Sequence, residues 1–270
     1  MEKRIIFIHT NDTEVSLRTG ELLKTKLEKS GFAVADEFCN EAELAICIGG
    51  DGAFLGALHK FHFPSVPFIG INTGHLGFFQ EIHPEQLDDF IFHYKQGKYT
   101  LQPLSTVKAA VRTACGEIRH YRALNEVLIK TAQSRSIHLN ISIGGSFIER
   151  FSGDGILVAT AAGSTGYNYS LGGSIVDPRL ALLQVTPIAP MNTTAYRSFT
   201  SSILLPSEME IGIIPEPENS RFCIAVDGIE YPYGESDGIR EITVGLSETV
   251  VNLLRFEGYD FWHKVKTKFL

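Results

Sequence analysis

Residues 44–55 read LAICIGGDGAFL, an apolar run that leads into a glycine turn and then into helix-forming residues. An uninterrupted apolar strand is typical of a parallel sheet that is covered on both faces. Around this stretch the pattern predicts strands at 5–8, 32–35, 44–48 and 68–71, and helices at 13–29, 53–60 and 84–94. This alternation predicts that residues 1–98 form an open α/β domain with a parallel sheet.

From residue 99 the pattern changes to short runs rich in Val, Ile, Thr and aromatic residues, separated by turn residues. The clearest predicted strands are 107–112, 118–121, 126–129, 137–143, 156–159, 202–205, 210–214, 222–226 and 241–244. Turns are predicted at 115–116 and 144–146. Residues 99–249 are therefore expected to form a mostly-β, sandwich-like domain. The tail, residues 250–270, ends in a short helical segment that we expect to pack back on the first domain.

Composition narrows the classes of partner. The chain has 270 residues and a formal net charge of −7, so it lacks the basic face that binds nucleic acid or an anionic membrane. Its apolar runs are shorter than the ~18 residues of a membrane span. The four cysteines lie far apart, with no metal-ligand spacing. We therefore expect reduced thiols and a cytoplasmic protein.

The glycine turn has the composition of a phosphate-binding loop, because Gly49, Gly50 and Gly52 allow backbone amides to approach an anion at the start of a helix. It is not a Walker A loop, and Leu55 stands where a dinucleotide fingerprint needs its third glycine. Asp51 is unexpected in such a turn because a carboxylate repels phosphate. It could hold Mg²⁺ or accept a proton from a hydroxyl that attacks a phosphoryl group. Alternatively, it only caps the following helix.

Four further segments accompany this turn: NTGHLGFF (72–79), LNEVLI (124–129), FSGDGILVATAAGSTGYNYSLGGSIV (151–176) and VDG (226–228). In this order and spacing they resemble the NAD kinase family over essentially the whole chain. The family phosphorylates the adenosine 2′-hydroxyl of NAD to give NADP. The resemblance implies that Asp51 is the general base, that ATP is the donor and that Mg²⁺ is the cofactor. It also implies a homodimer or homotetramer, with NAD and ATP as the small-molecule partners.

The resemblance also implies roles for residues that contact NAD. Phe78 is expected to flank the adenine, and Asn125 with Glu126 to bind the ribose and the nicotinamide end. Ala189 is expected to offer a backbone contact on the nicotinamide side. The full set of expected NAD-binding residues is Gly52, Phe78, Asn125, Glu126, Asp154, Thr165, Gly166, Tyr167, Ser170 and Ala189, beside the phosphate turn of Gly49, Gly50 and Gly52.

The chain departs from the family's pattern at three places. Ala53 stands where relatives usually carry threonine or serine, Ser152 where many carry a basic residue, and the loop at 160–165 lacks a proline. Two other functions remain open from the residues. One is a lipid kinase of the diacylglycerol or sphingosine type, which shares the Gly-Gly-Asp-Gly turn. The other is a non-catalytic NAD(P)-binding sensor.

Overall fold

A computed structural model describes residues 4–132, 135–216, 222–234 and 237–270. The chain divides into two compact units. The first consists of Met1–Pro103 with Val251–Leu270, and the second of Leu104–Val250.

The elements follow one another with short connections. Up to residue 95 they are β1 (Ile5–Thr10), α1 (Glu14–Lys29), β2 (Ala33–Ala35), β3 (Leu44–Gly49), α2 (Asp51–Lys60), β4 (Phe68–Asn72), β5 (Gln80–Ile82), a 3₁₀ turn (Pro84–Gln86) and α3 (Leu87–Lys95). Then come β6 (Tyr99–Thr113), β7 (Ile118–Ala123), β8 (Glu126–Thr131), β9 (Ile137–Ile143), β10 (Ser146–Gly153), β11 (Gly155–Thr160), a 3₁₀ turn (Ala162–Thr165) and α4 (Tyr167–Ser170). The chain continues through β12 (Leu182–Ile188), β13 (Ile203–Pro206), β14 (Ile211–Pro215), β15 (Phe222–Val226), β16 (Ile229–Tyr233), β17 (Ile239–Phe256) and α5 (Phe261–Phe269).

The first unit is built on parallel strands in the order β2-β1-β3-β4. Strand β3 is buried along its whole length, as its unbroken apolar sequence predicts. Its residues share one hydrophobic cluster with the buried faces of α1 and α3. The end of β3 therefore carries the glycine turn on a rigid, central strand.

The helices of this unit begin and end where their capping residues allow. The Thr13 side chain accepts a bond from the Ser16 amide at the start of α1, and Gly31 has a left-handed φ of +93° just after its end. The predicted helix at 13–29 is confirmed. Helix α2 begins at Asp51, two residues earlier than predicted, and the predicted helix at 84–94 is a 3₁₀ turn followed by α3.

The second unit contains a six-stranded antiparallel sheet in the order β13-β12-β11-β8-β15-β16. Strands β10, β9, β14 and the first part of β17 form an antiparallel row, and β6 pairs with β7. Buried side chains from both groups of strands form a single hydrophobic cluster. Two layers that share one core are the arrangement of a β-sandwich.

The predicted fold class, an α/β domain followed by a β-rich one, is confirmed. The sequence pattern missed β5, β10, β12 and β16, together with most of the length of β17. None of the described helices combines the length and hydropathy that a membrane crossing requires.

Candidate active site

The glycine turn reverses the chain tightly between β3 and α2. Gly49 has a φ of +150°, and a Cβ atom placed on it would stand 2.6 Å from the Cβ of Ala53. Gly50 is the N-cap of α2 and is extended, while a Cβ atom on Gly52 would have open space around it. The amides of Asp51 and Gly52 occupy the first turn of α2, where an amide has no partner within the helix. The turn can therefore present backbone N–H groups to an anion.

Asp51 does not cap its own helix. Gly50 holds that position without a side-chain bond. The Asp51 carboxylate instead accepts two bonds from a different loop: the Phe78 amide donates to Oδ2 and the Phe79 amide to Oδ1, both at 3.0 Å. The alternative that Asp51 only caps α2 is therefore wrong. Its carboxylate is fixed by amides of the connection between β4 and β5.

Residues 77–80 pack closely on this carboxylate. A Cβ atom placed on Gly77 would stand 2.5 Å from Asp51 Oδ1 and 2.0 Å from Gln80 Oε1. The two oxygens therefore lie no more than 4.5 Å apart, the sum of those distances. The Gln80 residue is 3% exposed, and neither atom of its amide has a hydrogen-bond partner among the described residues. A glycine at 77 is needed for this approach.

Helix α5 also packs on the loop formed by residues 77–80. The ring of Phe78 is 6% exposed, with ring centroids 5.8 Å from both Phe261 and Phe269. Lys268 Nζ lies 4.7 Å from the Phe78 ring and 3.7 Å from Asp51 Oδ2. The expected role of Phe78, flanking an adenine, must therefore be met by a ring whose faces already carry protein contacts.

Lys264, one helical turn before Lys268, is half-buried and contacts the loop. Its Nζ donates to the carbonyl oxygens of Gly77, at 3.3 Å, and of Gln80. Burial, with the nearby Arg255 charge, lowers the pKa of Lys264 to about 8. Helix α5 thus fixes the carbonyls of the loop whose amides fix Asp51.

In the second unit, the Leu-Asn-Glu turn before β8 is held by Asp227. Its carboxylate accepts bonds from the amides of Leu124 at 2.8 Å, Asn125 at 2.7 Å and Glu126 at 3.3 Å. The Thr160 hydroxyl donates to the Leu124 carbonyl at 2.6 Å. Four bonds to backbone groups therefore set the direction in which the Asn125 and Glu126 side chains point.

The Gly-Ser-Thr-Gly segment packs onto that turn. A Cβ atom placed on Gly163 would stand 2.1 Å from the Asn125 carbonyl oxygen. A Cβ atom on Gly166 would stand 3.5 Å from Glu126 Oε2 and 3.8 Å from Asn125 Nδ2. The structure therefore brings three predicted NAD-binding residues, Asn125, Glu126 and Gly166, to one place.

Two polar atoms of this cluster lack partners. Asn125 Oδ1 and Glu126 Oε2 are buried, and neither has a hydrogen-bond partner among the described residues. Burial, helped by the Asp227 charge, raises the pKa of Glu126 to about 8. A buried polar atom without a partner costs free energy unless a ligand satisfies it. The cluster therefore has the chemistry of a binding site for hydroxyl or amide groups.

Asp154 and Tyr167 line a common pocket of about 630 Å³. Both are exposed, and the pocket also contains basic side chains at Lys130 and Arg135. Ala189, which directly follows β12, has a left-handed φ of +43°. The other two predicted residues lie nearby in sequence, Thr165 at the end of a 3₁₀ turn and Ser170 at the end of α4.

Three residues of the candidate site, Asp227, Lys264 and Lys268, were not predicted from the sequence. Asp227 belongs to the quoted VDG segment, but nothing in a single sequence shows that its carboxylate binds the turn at 124–126. Lys264 and Lys268 belong to no motif, and only their contacts in the structure distinguish them from the other residues of the tail. Ser152, one of the three departures named above, is buried, with 2% of its surface exposed.

The described residues contain no group of three His, Cys, Asp or Glu side chains with the geometry of a metal site. Mg²⁺ in phosphoryl-transfer enzymes usually binds through one or two carboxylates and the phosphates of the substrate. Asp51 is the carboxylate at the glycine turn that could serve in this way.

A glycine turn with a fixed carboxylate on an α/β unit, and a buried polar cluster on a β unit, define a nucleotide-binding phosphotransferase. Residues 5–99 match the ATP-NAD kinase N-terminal domain and residues 124–254 the ATP-NAD kinase C-terminal domain. The chain therefore belongs to the ATP-NAD kinase family, and its reaction is the phosphorylation of NAD to NADP.

Individual relatives agree with this. The NAD kinase of Finegoldia magna is 39% identical over 272 residues, which is 99% of this chain and 98% of that protein. A NAD kinase of Streptococcus pneumoniae is 34% identical over 273 residues, covering 99% and 96%.

Two solved structures share the fold. Yeast NADH kinase complexed with NADH has a TM-score of 0.84 at 19% identity, covering 98% of this chain and 86% of that one. An Archaeoglobus fulgidus NAD kinase in complex with ATP has a TM-score of 0.73 at 24% identity, covering 97% and 99%.

Proposed function

We propose that the chain transfers a phosphoryl group from ATP to the adenosine 2′-hydroxyl of NAD, with Asp51 as the general base. The observation that carries this proposal is the setting of Asp51, whose carboxylate is bound by the Phe78 and Phe79 amides instead of its own helix. A carboxylate held in this way keeps a fixed position and retains further lone pairs for a proton. The ATP complex of the Archaeoglobus relative supports ATP as the donor.

The ribose 2′-oxygen attacks the γ-phosphorus as its proton passes to Asp51. The bond from the γ-phosphorus to the bridging oxygen breaks, and ADP leaves with that electron pair. Backbone amides at the start of α2 stabilise phosphate charge. Little covalent chemistry is asked of the protein, because phosphoryl transfer depends mainly on positioning and charge stabilisation.

The second unit is proposed to bind NAD. Glu126, with its pKa raised to about 8, is mostly protonated at neutral pH and can both donate to and accept from ribose hydroxyls. A protonated Glu126 also avoids repelling the pyrophosphate. Asn125 Oδ1, which lacks a partner among the described residues, can accept a bond from a hydroxyl or carboxamide N–H. Asp154, Tyr167 and the residues around them would form the rest of the site.

The same proposal includes the metal, the cellular location, the oligomeric state and the role of each unit. Mg²⁺, when bound with the donor phosphates, would neutralise their developing charge, with Asp51 as its protein ligand candidate. The enzyme would work in the cytoplasm as a homodimer or homotetramer. The first unit, residues 1–98 with the tail 250–270, would supply the phosphate site, and residues 99–249 the NAD site.

The test is direct. The purified chain is incubated with NAD, ATP and Mg²⁺, and NADP is measured with an NADP-specific dehydrogenase. Asp51→Asn should lower kcat by ~10² or more while NAD still binds, whereas the exposed Asp12→Asn should have wild-type activity. Near-normal turnover of Asp51→Asn would show that another group is the base. Tight NAD binding without any NADP from the wild type would favour the sensor, and phosphorylated lipid instead of NADP the lipid kinase.

A further inference from the structure

The glycine turn has no cationic side chain of its own. Gly49, Gly50, Gly52 and Ala53 contribute only backbone donors to an anion. A donor phosphate bound at the start of α2 would also lie near the Asp51 carboxylate, and the two negative charges would repel each other. A protein cation near Asp51, in addition to a bound metal ion, would reduce this repulsion.

Helix α5 provides such a cation. Lys268 Nζ lies 3.7 Å from Asp51 Oδ2, and 34% of the Lys268 side chain is exposed. That separation exceeds the 2.7–2.9 Å typical of a charge-assisted hydrogen bond, so the ammonium donors are not committed to Asp51. The Nζ atom also lies 4.7 Å from the centroid of the Phe78 ring, within the range of a cation–π contact. Lys268 can thus face a second anion without leaving the first.

Lys264 does not compete for this role. Its side chain is half-buried and its ammonium group donates to the Gly77 and Gln80 carbonyls, so it anchors the loop. Lys266, between the two, is exposed. Of the three lysines of α5, Lys268 alone combines solvent access with proximity to Asp51.

A second observation points to a ligand at the same place. Gln80 is 3% exposed, its amide atoms lack partners among the described residues, and its Oε1 lies within 4.5 Å of Asp51 Oδ1. A buried side-chain amide of this kind is a group that a bound ligand can satisfy.

We propose that Lys268 binds the terminal phosphate of the phosphoryl donor at the start of α2, beside Asp51. The proposal rests on the proposed function, because that function places a donor phosphate near Asp51. It adds a substrate-binding residue that no sequence motif indicates. The lysine would bind the donor and shield the base from the donor's charge.

The test compares Lys268→Met with Lys266→Met as a matched control on the same helix, and with Lys268→Arg as the charge-preserving variant. Binding of the non-hydrolysable ATP analogue AMP-PNP, of AMP and of NAD is measured by calorimetry with the full chain and Mg²⁺. We expect Lys268→Met to weaken AMP-PNP binding about tenfold or more, as loss of a charged hydrogen bond does, and to leave AMP and NAD binding unchanged. Lys266→Met should match the wild type. Lys268→Arg should bind AMP-PNP within about threefold of the wild type, because it keeps the charge.

Kinetics give a second measure. Lys268→Met should raise KM for ATP and leave KM for NAD unchanged, a split that general loss of structure would not produce. The proposal is overturned if AMP-PNP binding stays within twofold of the wild type, if AMP and AMP-PNP weaken equally, or if the wild type does not bind AMP-PNP. A wild type that makes no NADP but loses AMP-PNP affinity on Lys268→Met would refute the proposed function and keep the lysine site.

Discussion

Gly163 lies so close to Asn125 that a methyl group on Gly163 would stand 2.1 Å from the Asn125 carbonyl oxygen and 2.5 Å from its carbonyl carbon. Backbone cannot move aside as a flexible side chain can. The Gly-Ser-Thr-Gly segment therefore packs directly against the turn that carries Asn125 and Glu126.

Gly163→Ala should displace the turn at 124–126. We expect about 1–3 kcal/mol of destabilisation from overpacking, together with a loss of NAD affinity that exceeds the loss of ATP affinity. Urea unfolding and calorimetry measure the two effects. Gly56→Ala is the control, because a Cβ atom there would have nothing within 4 Å. Wild-type NAD affinity in Gly163→Ala would contradict the link between the two segments.

Gly56→Ala carries its own prediction. Gly56 lies inside α2, is exposed, and has open space around its Cβ position. Alanine loses less backbone entropy than glycine on joining a helix, so the variant should be more stable by about 0.5–1 kcal/mol. Chemical unfolding measures this, with kcat expected to stay at the wild-type value. A destabilised variant would mean that α2 does not have the helical conformation described.

Gly77→Ala should disturb the Asp51 carboxylate directly. Its added Cβ atom would stand 2.5 Å from Asp51 Oδ1. A displacement near 1 Å at a catalytic group can cost on the order of 10²-fold in rate, so kcat should fall steeply while NAD still binds. Gly74→Ala, in the same connection and with nothing within 4 Å of its Cβ position, is the matched control. Equal kcat values for the two variants would refute the prediction.

Glu126 should make stability depend on pH. Its pKa rises from an ordinary value of 4.5 to about 8 in the folded chain, so the folded state holds the proton more tightly than the unfolded state. Its contribution to stability is complete below pH 4.5 and is lost as the pH rises towards about 8. In that window the free energy of unfolding should fall by up to about 1.4 kcal/mol per pH unit relative to Glu126→Gln. Urea unfolding of both proteins between pH 5 and pH 8 would refute this if the two stability profiles are parallel.

Asp227 should contribute to both stability and binding. Asp227→Ala removes the acceptor of three backbone bonds at 124–126. We expect a loss of about 1.5–3 kcal/mol in the free energy of unfolding, the range for bonds to a charged group, and weaker NAD binding. Asp227→Asn keeps one oxygen and should lose less. It should also lower the pKa of Glu126, because the Asp227 charge is one cause of the upward shift. An alanine variant as stable as the wild type would show that the turn holds itself.

The sequence predicted the fold class because periodicity and glycine turns are local signals. It placed β3 and α1 within a residue or two. It missed β12 and β16, whose runs contain Pro187 and Pro232, and it missed β10, where charged residues interrupt the apolar pattern. Strand pairing overrode local composition at these places.

Residues of the candidate site were predictable only where they belong to a recognisable sequence motif. Asp51, Asn125 and Glu126 were predicted as site residues from quoted segments, and the structure adds the bonds that hold them. The contact between Asp51 and the amides of 78 and 79 spans 27 and 28 positions, and that between Asp227 and 124–126 spans more than 100. Such long-range bonds leave no periodic trace in a single sequence. The environments of Lys264 and Lys268 likewise depend on where α5 packs, and the sequence of the tail alone does not reveal this.

The bonds from Lys264 to the loop at 77–80 make that loop sensitive to local unfolding of α5. Carbonyls of residues 77–80 accept bonds from α5 and amides of the same residues donate to Asp51. Local unfolding of that nine-residue helix would release the carbonyl bonds and leave the amide bonds without that support. We expect catalytic activity to be lost on heating before the β-rich unit melts. Amide hydrogen exchange at Phe78 and Phe79 should then report the opening of α5 at temperatures where the protein as a whole remains folded.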